Sequence, residues 1–277
     1  MIRKASFEGR FYPDTKKSVF QLITEIEKLE KYPVQADFSG RVTGAVLPHA
    51  GHIYSGYQTV PFFRYLREKE NLPETFVIIN PNHTGRGPGI ALDPHEAWQN
   101  SIGTISLDKE LSALLPYQYD PEAQRNEHSA EVIIPFIQYY FGNDTVQILP
   151  ICMKEHSSAV ARQLADDLHH AASETGRNIL LIASSDFSHF LTPEQGYNQD
   201  QLVLDTIMKR DIDGLERTVN EHHISVCGYG PIMTLMAYTG LHDQQYSASV
   251  LARGHSGEVS PSREVVDYIS ILFHTSS

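Results

Sequence analysis

Apolar residues follow two kinds of spacing along the chain, short continuous runs and helical repeats. Val77, Ile78 and Ile79 form a β-branched run typical of a buried strand, and residues 18–31 repeat apolar side chains at helical spacing. Similar repeats predict helices near residues 57–69, 108–115, 128–141, 157–174, 194–210, 212–222 and 231–238. Further strands are predicted in the segments VTGAVLP, TVQILPI, NILLIAS, SASVLAR and VVDYISILF. This alternation predicts a single α/β domain over residues 1–277, with a central mostly parallel or mixed sheet flanked by helices.

The composition is that of a folded protein that does not attract anionic partners. The chain has 277 residues, 41% of them hydrophobic and 20% charged, and its net charge is −12 with neutral histidines. Because an acidic surface repels phosphate groups, neither nucleic acid nor a membrane is expected as a partner. There are only two cysteines, Cys152 and Cys227, and no secretory signal or membrane span is apparent. We therefore expect a cytoplasmic protein without a disulfide framework.

Three histidines stand directly beyond predicted strands. His49 follows AVLP, His83 follows VIINPN, and His189 follows LIASSDFS. Ligand sites in sheets of this kind are built at the carboxyl ends of the strands. The three imidazoles are therefore expected to lie close together, although they are far apart in the sequence.

Two more residues are candidates for chemistry, each with an ordinary structural alternative. Asp186 stands three residues before His189, where a carboxylate orients an imidazole or joins it as a ligand, but it is also a suitable turn cap. Cys227 precedes a predicted helix, where the thiol pKa is lowered and the thiolate serves as nucleophile or metal ligand. Buried free cysteine without chemistry is equally common. Cys152, at the end of an apolar strand, is predicted to be core.

The segment NEHSAEVIIPF contributes Glu127, His128 and Glu131. If a helix begins near Glu127, His128 and Glu131 lie on one side of its first turn. That arrangement suits a role beside a ligand or substrate, and plain helix capping explains it as well. No phosphate-binding loop, HExxH motif or zinc-ribbon spacing occurs in the chain.

The order of these motifs resembles that of a known family. FEGRFYP, PHAGHIYSG, PNHTG, NEHSAEVIIPF, SSDFSH and CGYGP extend from residue 7 to residue 231. This succession is similar to the Memo family, the protein B of the AmmeMemoRadiSam system, whose relatives are the class III extradiol ring-cleaving dioxygenases. Two positions depart from the family pattern: His52 replaces a usual aromatic residue, and Asn80 replaces a frequent glycine.

The resemblance implies a class III extradiol dioxygenase-like α/β fold with a metal site. His49 and His83 match the two histidine ligands, Cys227 takes the place of the carboxylate ligand, and His189, beside Asp186, matches the catalytic histidine. Fe(II) is the expected metal, with Cu or Zn as alternatives, because a thiolate is a softer and more oxidisable ligand than a carboxylate. The expected substrate is a small aromatic or other small molecule, and the expected protein partners are of the radical-SAM and AMMECR types.

Three functions remain open from the sequence. The first is a metal-dependent oxidoreductase in which His189 moves protons. The second is a metal-free cysteine hydrolase with Cys227 as nucleophile, His189 as base and Asp186 as the group that orients it. The third is a binding module that recognises a protein or peptide partner through the ancestral pocket.

Overall fold

The computed structural model describes residues 1–34, 38, 40–69 and 72–276, which form nine α-helices and twelve strands. The helices are α1 (Lys16–Leu29), α2 (His52–Arg67), α3 (Lys109–Ala113), α4 (Pro121–Gln124), α5 (Ile134–Phe141), α6 (Ser158–Thr175), α7 (Pro193–Met208), α8 (Ile212–His222) and α9 (Tyr229–His242). The strands are β1 (Ile2–Lys4), β2 (Val42–Leu47), β3 (Thr75–Pro81), β4 (Ile90–Leu92), β5 (Ala97–Asn100), β6 (Gly103–Ser106), β7 (Gln118–Tyr119), β8 (Gln147–Met153), β9 (Ile179–Ser184), β10 (His189–Leu191), β11 (Ser247–His255) and β12 (Val265–His274).

The strands form one large mixed sheet and one small sheet. The large sheet has the order β10-β12-β2-β9-β3-β8-β4-β7, and β11 pairs with β12 outside this path. Its middle strands β2, β9, β3 and β8 are parallel, whereas β12 runs antiparallel to β2 and β4 antiparallel to β8. The small sheet has the order β1-β5-β6. The predicted α/β fold with a mixed central sheet flanked by helices is confirmed.

Apolar packing on both faces explains why the middle strands read as continuous hydrophobic runs. Along β3, Val77 and Ile79 belong to the cluster that includes side chains of α6 and α9, whereas Phe76 and Ile78 belong to the cluster that includes side chains of α2 and α5. This is the two-residue period of a strand whose two faces are both covered. All seven residues of β3 are buried.

The register of the middle strands places their carboxyl ends side by side. Leu47 of β2 is paired with Ser184 of β9, and Ile79 of β3 is paired with Ala183. The segments that follow β2, β9 and β3 therefore leave the sheet at one edge. His49 and His83 lie in two of these segments, and His189 begins β10 shortly after β9.

Two helix starts differ from the sequence prediction. Helix α2 begins at His52 instead of residue 57, directly after Gly51, whose carbonyl accepts hydrogen bonds from Tyr54 N and Ser55 N. The helix predicted over residues 128–141 begins late: a 3-10 turn covers Glu131–Ile133 and α5 starts at Ile134. The reason is Pro135, whose ring would clash with the carbonyl of Glu131 inside a longer α-helix.

Candidate metal centre

Side chains from three separate segments converge at the carboxyl edge of the sheet. His49, His83 and Cys227 each offer a ligand atom, and these atoms all lie within 4.8 Å of one another. His49 Nε2 is 3.3 Å from Cys227 Sγ, and the two imidazole centroids are 5.2 Å apart. The 3.3 Å between nitrogen and sulfur would suit a shared transition-metal ion, since metal–nitrogen and metal–sulfur bonds of about 2.0 and 2.3 Å together span at most about 4.3 Å.

The hydrogen bonds of His49 fix its tautomer and direct the lone pair of Nε2 toward Cys227. Ser184 Oγ donates its proton to the carbonyl of Ser129 at 2.7 Å and therefore accepts from His49 Nδ1 at 2.8 Å. His49 Nε2 is then unprotonated. Burial, with smaller contributions from nearby histidines, also lowers the pKa of His49, so the ring is neutral. A neutral imidazole with a directed lone pair is the form that binds metals.

His83 is oriented by a buried carboxylate. Its Nδ1 donates to Glu127 Oε1 at 2.9 Å, and its backbone amide donates to Glu127 Oε2 at 2.7 Å. Burial lowers the pKa of His83, but the hydrogen bond and charge of Glu127 outweigh it and raise that pKa. For the carboxyl group of Glu127, burial alone would raise the pKa. The hydrogen bonds from His83 and Ser129 outweigh burial and lower that pKa to about 2. A carboxylate that holds Nδ1–H leaves Nε2 for a ligand and increases the basicity of the ring.

Cys227 lies at the N-terminal end of α9 in a tightly packed backbone pocket. The amide of Asp186 donates to its sulfur at 3.3 Å. Gly228 follows because a side chain there would overlap the carbonyl oxygen of Ser184. Burial and the charge of Asp186 raise the pKa of the thiol, so the lowering predicted from the helix N-terminus is wrong. Cys152 is 1% exposed in β8, as its apolar setting predicts.

Asp186 turns its carboxylate toward the His49 segment. Asp186 Oδ1 accepts from the backbone amide of His49 at 2.8 Å, and burial raises the pKa of the carboxyl group to about 6. The hydrogen bonds of His189 go elsewhere: its Nδ1 donates to the carbonyl of Ser225 at 2.9 Å, and its amide donates to Ser225 Oγ at 2.8 Å. Ser225 therefore orients the His189 ring and leaves its Nε2 outside this bond, which is the orienting role that the sequence assigned to Asp186.

His128 is a third imidazole beside the two candidate ligands. Its ring centroid lies 4.8 Å from that of His83 and 5.3 Å from that of His49. The ring centroids of Phe7 and Phe11 lie 5.5 and 4.7 Å from that of His128. Burial lowers the pKa of His128 to about 4. His128 precedes the 3-10 turn, so the predicted shared helical face with Glu131 is not formed.

His83, Glu127 and His128 form a second group with the spacing of metal ligands. Glu127 Oε1, however, already accepts hydrogen bonds from His83 Nδ1, the amides of His128 and Ser129, and the Ser129 hydroxyl. An ion there would have to displace several of these donors. The group therefore supports the first site and does not make a second one.

Glu131 anchors the N-terminal segment. Its carboxylate pairs with Arg3 Nη1 at 2.7 Å and accepts from the amides of Ser6 and Phe7 and from the hydroxyl of Tyr12. These contacts hold Phe7 in position against His128. Glu131 thus reaches the candidate site only through Phe7 and its contact with His128.

Comparison with known proteins shows the family. A family model described as Memo-like protein matches residues 3–272. A MEMO1 family protein of Methanococcoides burtonii is 35% identical over 275 residues, which cover 98% of this chain and 99% of the relative. The chain belongs to the Memo family. Another MEMO1 family protein, from Desulfurococcus amylolyticus, is 37% identical over 279 residues, which cover 96% of this chain and 96% of the relative.

Two further findings concern a solved structure and membrane-spanning helices. The crystal structure of an uncharacterized Escherichia coli K12 protein superimposes with a TM-score of 0.49 at 13% identity, covering 84% of this chain and 99% of that one. Such a similarity is too low to support a functional inference. Among the described residues, no helix has the length and apolar character needed to span a bilayer.

Proposed function

We propose that this Memo-family protein binds one redox-active metal ion through His49, His83 and Cys227, with Fe(II) as the expected metal. We further propose that it acts as an oxidoreductase on a small molecule. The observation that carries the proposal is the convergence of three ligand atoms within 4.8 Å. Two imidazole nitrogens and one sulfur suit Fe(II), Cu and Zn, which accept imidazole and thiolate together.

The surroundings of the two imidazoles support this ligand set. Ser184 holds the Nδ1 of His49, and Glu127 holds the Nδ1 of His83, so both Nε2 atoms are left to face a shared ion. Three protein ligands leave at least one coordination position open, as in catalytic metal sites. When bound, the metal would supply Lewis acidity and electron transfer toward a coordinated small molecule.

His189 is the proposed proton-transfer group. Its Nδ1–H is committed to the carbonyl of Ser225, so its Nε2 is free to accept a proton from a substrate hydroxyl. It lies near enough to the centre for its charge to lower the pKa of Asp186. Phe7 and Phe11, which pack on His128, offer an apolar surface that suits a small aromatic substrate. Two free cysteines support a reducing, cytoplasmic location.

The contacts of Cys227 favour the metal site over the cysteine hydrolase. Its sulfur is 3.3 Å from His49 Nε2, a candidate metal ligand, whereas the hydrogen bonds of His189 go to Ser225 and not to the sulfur. Burial raises the thiol pKa, which removes the nucleophilic thiolate that a hydrolase requires. A metal ion would instead take the sulfur in its deprotonated form.

Anaerobic titration with Fe(II) tests the proposal. Wild-type protein, purified without a histidine tag, should bind one ion per chain, and His49→Ala should lower the affinity by at least about 100-fold, because a direct ligand is lost. His170→Ala is the matched control, since His170 has a 76% exposed side chain on α6, and it should bind like wild type. Equal affinity of wild type and a folded His49→Ala variant would contradict the proposed site.

A further inference from the structure

Two buried carboxyl groups contact each other behind the turn that precedes His189. Asp200 lies on α7 and Asp267 on β12, and they are 0% and 5% exposed. Asp267 Oδ2 packs against Gly196, which lies one turn before Asp200 on α7, and the charge of each carboxyl group acts on the other. Neither Asp200 Oδ2 nor Asp267 Oδ2 has a donor group as partner among the described residues. Two carboxylates buried side by side repel each other, so such a pair favours keeping one proton.

The charges around the pair do not replace that proton. Arg253 of β11 is the nearby cation, with Nη2 3.8 Å from Asp200 Oδ2, and it also donates to Gln201 Oε1 and the carbonyl of Tyr197. Glu258, in the 3-10 turn after β11, adds negative charge that acts on Asp267.

Neighbouring elements pack closely around Asp267. His255 stands opposite Asp267 in the β11–β12 ladder. Gly196 of α7 packs so closely on Asp267 that any side chain there would overlap Oδ2. The carboxyl group of Asp267 is therefore confined beside α7, the helix that carries Asp200.

The pair is tied to the turn between Asp186 and His189. Asp200 Oδ1 accepts from both the amide and the hydroxyl of Ser188, at 3.1 and 2.6 Å. The backbone of Asp267 brackets the same turn, because its carbonyl accepts from Phe187 N and its amide donates to the carbonyl of Ser188. Both residues thus hold this turn through hydrogen bonds.

We propose that Asp200 and Asp267 share a single proton and that this acid–carboxylate pair positions the turn that carries His189. Asp267 is the acid, and Asp200 is the carboxylate that binds Ser188. Burial and the contact with Asp200 raise the pKa of Asp267 to about 8. The positioning of His189 has a catalytic meaning only if the proposed function holds. The shared proton and the restraint on the turn do not depend on a metal. Their tests can therefore fail while the proposed function holds, and the reverse is also true.

Proton linkage tests the shared proton. Unfolded aspartate loses its proton near pH 4, whereas the folded pair keeps its proton up to about pH 8, so the stability that this proton contributes is lost as pH rises through this range. Asp267→Asn keeps a donor toward Asp200 but does not titrate. The unfolding constant of wild type, divided by that of Asp267→Asn, should therefore rise about 100-fold between about pH 5 and 7.

The measurement is denaturant unfolding of the full chain at several pH values. Asp166→Asn is the control, since Asp166 is exposed on α6, and its ratio to wild type should not change with pH. A ratio for Asp267→Asn that is equally constant would overturn the shared proton.

Amide hydrogen exchange tests the positioning role. Asp200→Ala removes both bonds to Ser188 and should speed exchange at Ser188 and His189 by about ten-fold or more. Asp200→Asn retains an acceptor oxygen and should exchange more slowly than Asp200→Ala. In wild type, exchange corrected for its intrinsic rate should increase above about pH 8, as the pair loses its proton, and Asp267→Asn should abolish that increase. Wild-type exchange rates in Asp200→Ala, or the same pH profile in Asp267→Asn, would overturn this role.

Discussion

Replacing Cys227 with serine should lower the affinity for Co(II), a spectroscopic substitute for Fe(II), by at least about 100-fold. It should also abolish the sulfur-to-metal charge-transfer absorption of the loaded protein. The sulfur lies 3.3 Å from His49 Nε2, so the change removes the one thiolate and leaves the two imidazoles in place. A serine hydroxyl stays protonated and is a hard, weak ligand in comparison with a thiolate.

The affinity of wild type should also increase with pH. Burial raises the pKa of the Cys227 thiol, and Glu127 raises the pKa of His83, so both groups must release protons before they bind a metal. Cys152→Ala is the matched control, because Cys152 is 1% exposed within β8 and donates only to the carbonyl of Ala123. It should retain the absorption band. A band that persists in Cys227→Ser would show that the sulfur is not a ligand.

Glu131→Ala should reduce the free energy of unfolding by about 3–5 kcal/mol, the range for removing one partner of a buried ion pair. The side chains of Arg3 and Glu131 are 7% and 3% exposed, and their closest atoms are 2.7 Å apart. Without the carboxylate, the guanidinium is left buried with only carbonyl acceptors, and the Tyr12 hydroxyl and two backbone amides lose their acceptor. Chemical denaturation measures the effect.

The control for this large effect is an exposed pair of side chains. Glu174 faces His170 one turn away on α6, and their side chains are 56% and 76% exposed. Glu174→Ala should change stability by less than about 0.5 kcal/mol, because solvent screens such pairs. If the two variants lost similar amounts of stability, the N-terminal segment would not be anchored as described.

The position of the site could be predicted from the sequence because it follows from strand order. Continuous apolar runs mark β2, β3 and β9 as buried strands, and parallel neighbours bring the segments after them to one edge. His49 and His83 follow directly from that pattern. Cys227 does not follow a strand, and only its position before the predicted helix α9 indicated it. The same position led to the wrong prediction of a lowered thiol pKa. Burial outweighs the helix terminus there.

The hydrogen-bond partners that orient each imidazole could not be predicted. Ser225 binds His189 from 36 positions away, and Glu127 binds His83 from 44 positions away. No periodic pattern of the sequence indicates such pairs, because serine and glutamate in loops are equally typical of helix caps. The contact between Asp200 and Asp267 was missed for the same reason, since a helix and a distant strand supply one carboxyl group each.

The most direct test of the central claim is X-ray absorption of the anaerobically iron-loaded protein. The proposed centre predicts one sulfur neighbour, from Cys227, together with the multiple-scattering signature of two imidazoles, from His49 and His83. In Cys227→Ser the sulfur neighbour should disappear while the imidazole signature remains. A wild-type spectrum with only oxygen and nitrogen neighbours, or a sulfur neighbour that survives in Cys227→Ser, would contradict the account.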